Sequence, residues 1–474
     1  MARAQYDITI IGGGSGGLTA ARVATALGAN VLLVDKERIG GDCLNYGCVP
    51  SKSLIHVARV VQQAREAMSL GLAPANLGVD MVKVSAYIQK VIEGVQEAEK
   101  KYVDGVTVRY GKVSFRSSVE LLLDDEQITS RNTLIATGSR PAVPIIEGLQ
   151  EVGYLTNEGA FSLAALPASL LIIGGGPIGV ELGQAFGRLG TKVTIIQRAE
   201  HLLPKEDPEV SETIATVLQS EGVQVVTSAR VLKVCRKGNQ KVATVRQGNQ
   251  LLNFEADEIL LALGRYPNVE GLDLEAAEIE YDSQGIKVDE YLQTSTSNIL
   301  AIGDVIGNYL FTHVAAYQAG IAVRNALLPL GKKKVDYRVV PWCTFTDPEA
   351  ARVGLTPQEA EKLYKQIRIV KLPWADIDRA QTENETVGFI KLVLAGKKDE
   401  IVGAHMVGAH AGEMLGEMSL AMQHNLTIND IFNTIHVYPT MNTGLQQAAF
   451  EAYLESTTAA NNRKIVRTVL NLRG

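Results

Sequence analysis

Short apolar runs that end in glycine-rich turns recur along this chain. The run 7–11 is rich in β-branched residues, and it is followed by the turn 12–17 and by a helical stretch over 18–27. The same order returns at 170–173, 174–179 and 180–189. Each helical stretch leads into another apolar run, at 31–34 and at 193–196. This pattern predicts two strand, turn and helix units of the Rossmann type.

The glycines of each turn have separate physical roles. Gly12 allows the tight turn, Gly14 lets the backbone approach a pyrophosphate, and Gly17 lets helix and strand pack closely. The second turn carries Gly174, Gly176 and Gly179 at the same positions. Two complete fingerprints in this context predict two dinucleotide sites, each with a helix N-terminus facing the phosphates.

The residues that end the second strand of each unit differ in charge. Asp35 lies 23 residues after Gly12 and is placed to accept a hydrogen bond from a ribose hydroxyl. The second unit has Gln197 followed by Arg198. A carboxylate there would repel a 2′-phosphate, whereas a guanidinium would bind it. The second site is therefore predicted to prefer NADPH, with NADH as the alternative if Arg198 is only a solvated surface residue.

Two cysteines follow the first unit in the segment 40–52. Cys43 and Cys48 are five residues apart, and the chain has only four cysteines, so the second pair that a zinc site needs is missing. The pair is predicted to be a catalytic dithiol that exchanges electrons with a flavin. Cys235 and Cys343 have no partner at motif spacing and are predicted to be small buried residues. No metal site is predicted.

Composition sets wider limits. A chain of 474 residues with 46% apolar content predicts about three domains. The net charge of −6 gives no reason to expect nucleic acid or an anionic membrane as partner. The chain shows no export signal and no apolar run of membrane-spanning length, so a cytoplasmic protein is predicted. A disulfide there is transient and catalytic more often than structural.

Together these motifs resemble the pyridine nucleotide-disulfide oxidoreductases, the flavoprotein family of dihydrolipoamide dehydrogenase, glutathione reductase and mercuric reductase. The resemblance covers nearly the whole chain and includes the segments 136–141 and 263–268 and a region that begins near Pro341. It implies an α/β fold with two Rossmann-like dinucleotide-binding domains and a C-terminal α+β dimerisation domain. The implied domains are 1–150 for the first FAD-binding part, 151–270 for NAD(P)H, 271–340 for the central return segment, and 341–474 for the interface.

The resemblance also implies roles for single residues. Cys48 would lie nearest the flavin as the charge-transfer thiolate, and Cys43 would be the interchange thiol. Lys52 would approach the flavin and pair with Glu181 of the nicotinamide domain. The remaining implied cofactor contacts are Thr137, Gly138 and Asp304 for FAD and Gly264 for NADPH. Asp304 on its own is also compatible with a helix cap.

One segment departs from the family pattern. Tyr438 stands where the disulfide reductases have an acid-base histidine, and Thr443 stands where they have its orienting glutamate. A phenol with a pKa near 10 is a poor base at neutral pH but can donate a hydrogen bond. Mercuric reductases also have tyrosine at this position, yet their C-terminal cysteine pair is absent from 466–474. His436 is predicted to be a packed, hydrogen-bonded residue, or else to replace the missing base.

The leading hypothesis is a homodimer in which Tyr438 completes the partner's site. NADPH would reduce the Cys43-Cys48 disulfide through FAD, and the acceptor would be a small molecule: a soft metal ion, a quinone or an unusual disulfide. One alternative is a dihydrolipoamide dehydrogenase of a larger complex. Another is a flavin-binding protein that responds to the cellular redox state and is recognised by a partner protein.

Overall fold

The computed structural model describes residues 4–73 and 77–473 of the chain. The strands, in chain order, are β1 (Tyr6–Ile11), β2 (Val31–Asp35), β3 (Thr107–Tyr110), β4 (Val113–Phe115), β5 (Glu120–Leu123), β6 (Glu126–Ile135), β7 (Ser139–Pro141), β8 (Ser169–Ile173), β9 (Lys192–Ile196), β10 (Gln224–Val226), β11 (Ala229–Lys237), β12 (Gln240–Gln247), β13 (Gln250–Ala256), β14 (Glu258–Leu261), β15 (Arg265–Pro267), β16 (Tyr281–Asp282), β17 (Gly285–Ile286), β18 (Ile299–Ala301), β19 (Pro341–Thr344), β20 (Glu349–Gly354), β21 (Ile367–Pro373), β22 (Phe389–Ala395) and β23 (Glu400–Gly408).

The α-helices are α1 (Ser15–Ala26), α2 (Gly41–Asn45), α3 (Cys48–Glu66), α4 (Met81–Glu99), α5 (Leu149–Val152), α6 (Asn157–Ala160), α7 (Pro177–Leu189), α8 (Pro208–Ser220), α9 (Thr312–Leu327), α10 (Pro357–Leu363), α11 (Asp378–Thr382), α12 (Ala411–Gln423), α13 (Ile428–Asn433), α14 (Thr443–Glu455) and α15 (Thr457–Arg473). None of the helices in the described part of the chain is long and apolar enough to cross a bilayer.

The chain separates into two units. Unit 1 comprises Met1–Gly174, Arg188–Val193 and Val231–Asp336, and unit 2 comprises Gly175–Gly187, Thr194–Arg230 and Tyr337–Gly474. This division neither matches nor tests the four domain boundaries that the sequence predicts, so those boundaries stay a prediction.

The main sheet of unit 1 explains the buried apolar runs at its centre. Its strand order is β3-β2-β1-β6-β5-β4, with β18 also paired to β6. Ile10 of β1 lies between Leu33 and Leu134 of its parallel neighbours. All three side chains are buried in one core with residues of α1 and α9. Central parallel strands are aliphatic throughout because they are buried on both faces, and the predicted α/β class is confirmed.

The second glycine turn lies between β8 and α7. In unit 1, β8 pairs in parallel with β14, with Leu171 opposite Ile259. In unit 2, β9 pairs in parallel with β10, with Ile195 opposite Val225. The predicted order of strand, glycine turn, helix and strand is therefore present in both halves of the repeat.

Unit 2 also contains a sheet of a different kind. Its five strands are antiparallel in the order β19-β20-β23-β22-β21. Residues of α12 and α14, including Met418 and Leu445, share one buried core with this sheet. Trp374 fills the space beside Gly408, where an added Cβ would lie 2.2 Å from the indole ring. This is the α+β region that the resemblance implies.

The helix boundaries differ from the predicted ones in a consistent way. The helices predicted to start at 18 and 180 begin at Ser15 and Pro177, inside the glycine turns. Apolar periodicity finds a helix only from its first packed residue, whereas the backbone turns earlier.

Charged groups are buried behind the antiparallel sheet of unit 2. Lys391 Nζ lies 2.7 Å from Asp207 Oδ1, and both side chains are almost fully buried. Asp207 also caps α8, since its carboxylate accepts a hydrogen bond from the amide of Glu209. His405 is fully buried nearby, with its Nε2 2.9 Å from the carbonyl of Leu355. Burial, reinforced by the nearby positive charges, lowers the pKa of His405 to about 4.

Acidification is therefore expected to destabilise unit 2 through His405. The unfolded chain binds a proton near pH 6.5, whereas the folded chain resists protonation down to about pH 4. The stabilisation is fully present above pH 6.5 and is lost as pH falls through this window, by about 3 kcal/mol in all. Chemical denaturation at several pH values measures this slope. His405→Gln is expected to flatten it, while His424→Gln, at an exposed position, leaves it unchanged; equal slopes would contradict the assignment.

Candidate functional site

The first glycine turn can be built only from residues without side chains. Gly12 has φ +108°, and a Cβ there would lie 2.3 Å from the carbonyl oxygen of Ala136. A Cβ on Gly17 would lie 1.8 Å from the carbonyl oxygen of Gly12. On Gly14, by contrast, an added Cβ would meet only Gly41, at 3.7 Å. The turn therefore keeps one side of its backbone open to a ligand at the N-terminus of α1.

Asp35 holds this turn from the end of β2. One carboxylate oxygen accepts a hydrogen bond of 2.7 Å from the amide of Gly13, and the other accepts from the amides of Glu37 and Arg38 at 3.0 Å. The carboxylate is thus fixed beside the loop, at the position where the sequence places the ribose contact. That contact stays a prediction.

The second glycine turn repeats the same arrangement with a neutral side chain. Gly174 has φ +115°, and a Cβ there would lie 2.2 Å from the carbonyl oxygen of Ala262. Gln197 Oε1 accepts from the amide of Gly175 at 3.3 Å, as Asp35 does from Gly13. The same oxygen accepts from the amide of Arg198 at 3.1 Å. The structure therefore places Gln197 in the position equivalent to Asp35.

The two thiols lie on consecutive short helices next to the first turn. Cys43 is in α2 and Cys48 is the first residue of α3. Gly41, between them and the turn, has φ +60°, and a Cβ there would lie 2.7 Å from Cα of Gly14. This close backbone approach brings the dithiol segment against the first glycine turn. None of the four cysteines forms a disulfide in the structure.

The thiols differ in their surroundings. Cys48 is exposed and Cys43 is half-buried. The pKa of the Cys43 thiol is raised, first by its hydrogen bond to Cys48 and then by burial. Cys48 Sγ lies 3.8 Å from Oγ1 of Thr312, the first residue of α9. Since Cys43 holds its proton and a helix N-terminus favours negative charge, the arrangement directs negative charge towards Cys48.

Asp304 belongs to a hydrogen-bonded cluster that reaches the dithiol segment. Ser139 Oγ donates to Asp304 Oδ2 at 2.5 Å, and Arg265 Nε donates to Ser139 Oγ at 2.6 Å. Arg265 also lies 3.2 Å from the carboxylate of Asp42, the neighbour of Cys43. Burial raises the pKa of Asp304. The sequence identified the motifs that contain Ser139 and Arg265, but it gave these residues and Thr312 no role.

The remaining predicted contact residues of unit 1 lie just before β7 and β15. Thr137 Oγ1 donates to the carbonyl of Asn268 at 2.8 Å, which fastens β7 to the residues after β15. Gly138 and Gly264 have φ +68° and +102°, conformations that favour glycine. Their cofactor contacts stay predictions.

Lys52 and Glu181 lie in different units. Lys52 is on α3, one turn after Cys48. Glu181 is buried on α7 in unit 2, where its carboxylate accepts from the amide of Phe345 at 2.8 Å. The ion pair predicted between them stays a prediction.

In unit 2, Tyr438 has a carboxylate partner that the sequence did not indicate. Its hydroxyl donates to Asp378 Oδ2 at 2.8 Å, and this carboxylate raises the pKa of the phenol. Thr443, at the position of the family's glutamate, instead donates to the carbonyl of Thr440 at 2.6 Å. Tyr438 is 69% exposed. In the structure its hydroxyl is therefore a hydrogen-bond donor to Asp378, and its acid-base role stays a prediction.

His436 is packed away from the surface. Its side chain is 4% exposed, with Nε2 3.0 Å from the carboxylate of Glu417 and Nδ1 3.0 Å from the carbonyl of Thr434. Asn442 also donates to Glu417. A cavity of about 470 Å³, lined by Glu417, Asn442 and Arg379 among others, adjoins this pair. Of the two interpretations, the arrangement fits the packed histidine.

Cys235 corrects one prediction. It is exposed on β11 rather than buried. Its neighbour Val234 is buried, and successive side chains of a strand point to opposite faces. Cys343 is half-buried. No group of three or more histidine, cysteine or acidic residues that could hold a metal ion occurs in the described part of the chain.

Known proteins are similar to this chain over most of its length. The family model "Pyridine nucleotide-disulphide oxidoreductase" matches residues 6–320, and the model of that family's dimerisation domain matches residues 340–449. A mercuric reductase of Staphylococcus aureus is 38% identical, with 94% of this chain and 82% of the relative covered. A dihydrolipoyl dehydrogenase of Bacillus subtilis is 35% identical, with 94% and 98% covered.

A solved structure shows the same fold. The HOCl-induced flavoprotein disulfide reductase RclA from Escherichia coli superposes with a TM-score of 0.84 at 30% identity, covering 93% of this chain and 99% of that one. A Cu(II) complex of the same reductase has a TM-score of 0.85.

Proposed function

The chain belongs to the pyridine nucleotide-disulphide oxidoreductase family, and from this premise we propose that it is a homodimeric FAD enzyme that uses NADPH to reduce a Cys43-Cys48 disulfide. The family uses FAD and a nicotinamide nucleotide, and the matched dimerisation domain supports the homodimer. The observation that carries the proposal is the pair of thiols in hydrogen-bond contact beside the first glycine turn.

The residues around the first turn fit FAD. The open backbone at Gly14 and the N-terminus of α1 would take the pyrophosphate, and Asp35 would accept from the ribose. The buried carboxyl of Asp304, held by Ser139 and Arg265, would accept from a polyol hydroxyl. When bound, FAD would accept a hydride from the nicotinamide nucleotide and supply two electrons to the disulfide.

The protein's own part in the reduction lies at the two sulfur atoms. Breaking the S–S bond takes up two electrons and, with one proton, leaves one thiol and one thiolate. The raised pKa of Cys43 keeps one proton on that thiol, and the N-terminus of α3 favours negative charge on Cys48. This asymmetry supports Cys48 as the thiolate nearest the flavin and Cys43 as the thiol that meets the acceptor.

The preferred acceptor is a soft metal ion. A protonated Cys43 and a Tyr438 with a raised pKa lack the base that disulfide exchange needs. A soft ion removes that need, because coordination itself deprotonates thiols. Reoxidation of the thiol and thiolate to the disulfide then gives two electrons to Hg²⁺, which leaves as Hg⁰, and releases one proton. The mercuric reductases and the Cu(II) complex of RclA among the similar proteins support this class.

Dihydrolipoyl dehydrogenase activity is the second candidate, because a relative of that name is 35% identical and matches 98% of its own length. Gln197 and Tyr438 weigh against it. A quinone and an unusual disulfide remain the other hypotheses for the acceptor. A redox-responsive protein whose state is recognised by a partner protein remains the hypothesis of another class.

Anaerobic titration of the purified protein with NADPH, and separately with NADH, tests the proposal. Reduction by NADPH should produce a long-wavelength absorbance band from the Cys48 thiolate beside the flavin. Bleaching of the flavin without that band would refute dithiol participation. Slow reduction by both nucleotides would favour the redox-responsive role. An acceptor screen with Hg²⁺, Cu²⁺, lipoamide and a quinone then separates the enzyme hypotheses.

Arg198→Ala is expected to raise the KM for NADPH about tenfold and to leave the KM for NADH unchanged. A charge-assisted hydrogen bond to the 2′-phosphate contributes about 1.5 kcal/mol or more, which corresponds to about tenfold. Steady-state kinetics with each nucleotide measure the difference. Arg246→Ala, at an exposed position on β12, is the matched control. Equal effects on both nucleotides would contradict the phosphate assignment.

A further inference from the structure

The last helix, α15 (Thr457–Arg473), lies outside the region that the family models match, which ends at residue 449. The shared catalytic and dimerisation architecture therefore does not account for it. Its start is joined to α14: Asn462 Nδ2 donates to the hydroxyl of Tyr453 at 3.2 Å, and Arg463 donates to the carbonyl of Leu454 at 3.1 Å. Ala459 is buried at this junction, whereas every residue over 461–472 is exposed.

Apolar side chains form one face of the exposed part. At about 100° per residue, the five aliphatic side chains over 465–472 fall within an arc of about 160°. They are Ile465, Val466, Val469, Leu470 and Leu472, with exposed fractions of 61%, 54%, 40%, 62% and 82%. Isolated exposed aliphatic residues are common on protein surfaces, but a contiguous exposed stripe marks a binding surface.

The charged side chains of α15 are all cationic. Residues 457–474 carry Arg463, Lys464, Arg467 and Arg473 and no aspartate or glutamate. On the helical wheel, Lys464 and Arg467 lie on the face opposite the stripe, Arg463 lies at its edge, and Arg473, one residue beyond the last aliphatic position, falls at an angle within its arc. A short helix with an apolar stripe, a basic polar face and low overall hydrophobicity is the form of a helix that lies in a lipid interface.

We propose that α15 binds the surface of a bilayer that contains anionic lipids. The aliphatic stripe would enter the boundary between headgroups and acyl chains, while Arg463 at its edge and the long side chains of Lys464 and Arg467 reach lipid phosphates. The absence of acidic side chains in 457–473 disfavours a second copy of α15 as the occupant, because two such helices would repel each other. The binding is peripheral, since α15 is too short and too polar to span the membrane.

Cosedimentation of the full-length flavoprotein with vesicles tests this proposal. At low salt, vesicles with about one third phosphatidylglycerol are expected to retain at least about tenfold more protein than vesicles of phosphatidylcholine alone, and salt should weaken the binding. Equal retention on the two vesicle types would overturn the proposal.

Two double variants assign the binding to the two faces of the helix. Val466→Asn with Leu470→Asn removes the stripe, and Lys464→Glu with Arg467→Glu reverses the charge; each is expected to abolish retention. Leu251→Asn, which changes an aliphatic residue on β13 that is 66% exposed, should bind like the unaltered protein. Flavin absorbance and reduction by NADPH should stay unchanged in all variants, so failure of this proposal is distinguishable from failure of the proposed function.

Size-exclusion chromatography tests the alternative occupant of the stripe, a second copy of the chain. If the stripe variant changes the oligomeric state and vesicle binding is absent in the unaltered protein, the stripe is an interface between copies of the chain, and the lipid proposal is wrong. If the oligomeric state is unchanged and retention is lost, lipid is the occupant.

Discussion

Cys48→Ser is expected to lower electron transfer from NADPH to the acceptor by at least about 10³-fold, because a hydroxyl can neither form a disulfide nor serve as a soft thiolate at neutral pH. Reduction of the bound flavin by NADPH should persist, since the glycine turns are unchanged. Steady-state turnover with Hg²⁺ or a disulfide measures the loss, and anaerobic absorbance measures the flavin step.

Two further variants sharpen this result. Cys43→Ser should also stop turnover but keep the long-wavelength band, because Cys48 remains at the N-terminus of α3. Cys235→Ser removes an exposed thiol on β11 and should change nothing. Undiminished turnover in Cys48→Ser would show that electrons pass directly from the flavin to the acceptor, as in quinone reduction.

The parts of the site that the sequence predicted are those set by local spacing. The glycine turns and the equivalence of Asp35 and Gln197 follow from strand, turn and helix geometry within about 25 residues, where the backbone leaves few alternatives. The hydrogen bonds from Gly13 to Asp35 and from Gly175 to Gln197 have the same form. The same local reasoning predicted the two Rossmann-type units, whereas the separate C-terminal region was implied by the resemblance to the family.

The parts that the sequence did not predict depend on contacts between distant residues. Thr312 lies 264 residues from Cys48, and Arg265 lies 126 residues from Ser139. No periodicity or spacing rule links such pairs, and only the folded chain brings them together. Asp378 is 60 residues before Tyr438 and belongs to no motif. From the sequence, threonine at position 443 therefore indicated that Tyr438 has no carboxylate partner, whereas the fold supplies one from another element.

The net charge of the whole chain also gave no indication of the basic C-terminal helix. A total of −6 argued against an anionic membrane, yet the last eighteen residues carry four cations and no acid. Over a chain of this size, charges farther apart than a Debye length of about 10 Å act nearly independently. The local charge of a helix therefore bears on its partner more directly than the whole-chain total does.

Tyr438→Phe is expected to lower turnover by about 10²-fold while leaving flavin reduction by NADPH unchanged, because only the acceptor step uses its hydroxyl. Asp378→Asn should cost less than about tenfold, since the phenol remains and loses only its carboxylate partner. It should also change the pH profile. The carboxylate raises the pKa of Tyr438, so the donor form persists to higher pH; without that charge the pKa falls, and the alkaline decline in turnover moves to lower pH.

The control for this prediction is a second tyrosine of the same kind. Tyr281 also donates to a carboxylate, Glu275, at 2.7 Å, and its pKa is likewise raised. It lies on β16, far along the sequence from Cys43 and Cys48. Tyr281→Phe should leave both turnover and the pH profile unchanged. An alkaline decline that stays in place in Asp378→Asn would mean that this carboxylate only supports the fold. A shift together with retained flavin reduction would identify Asp378 as the residue that positions the proton donor, a role that Thr443 cannot fill because its hydroxyl is committed to Thr440.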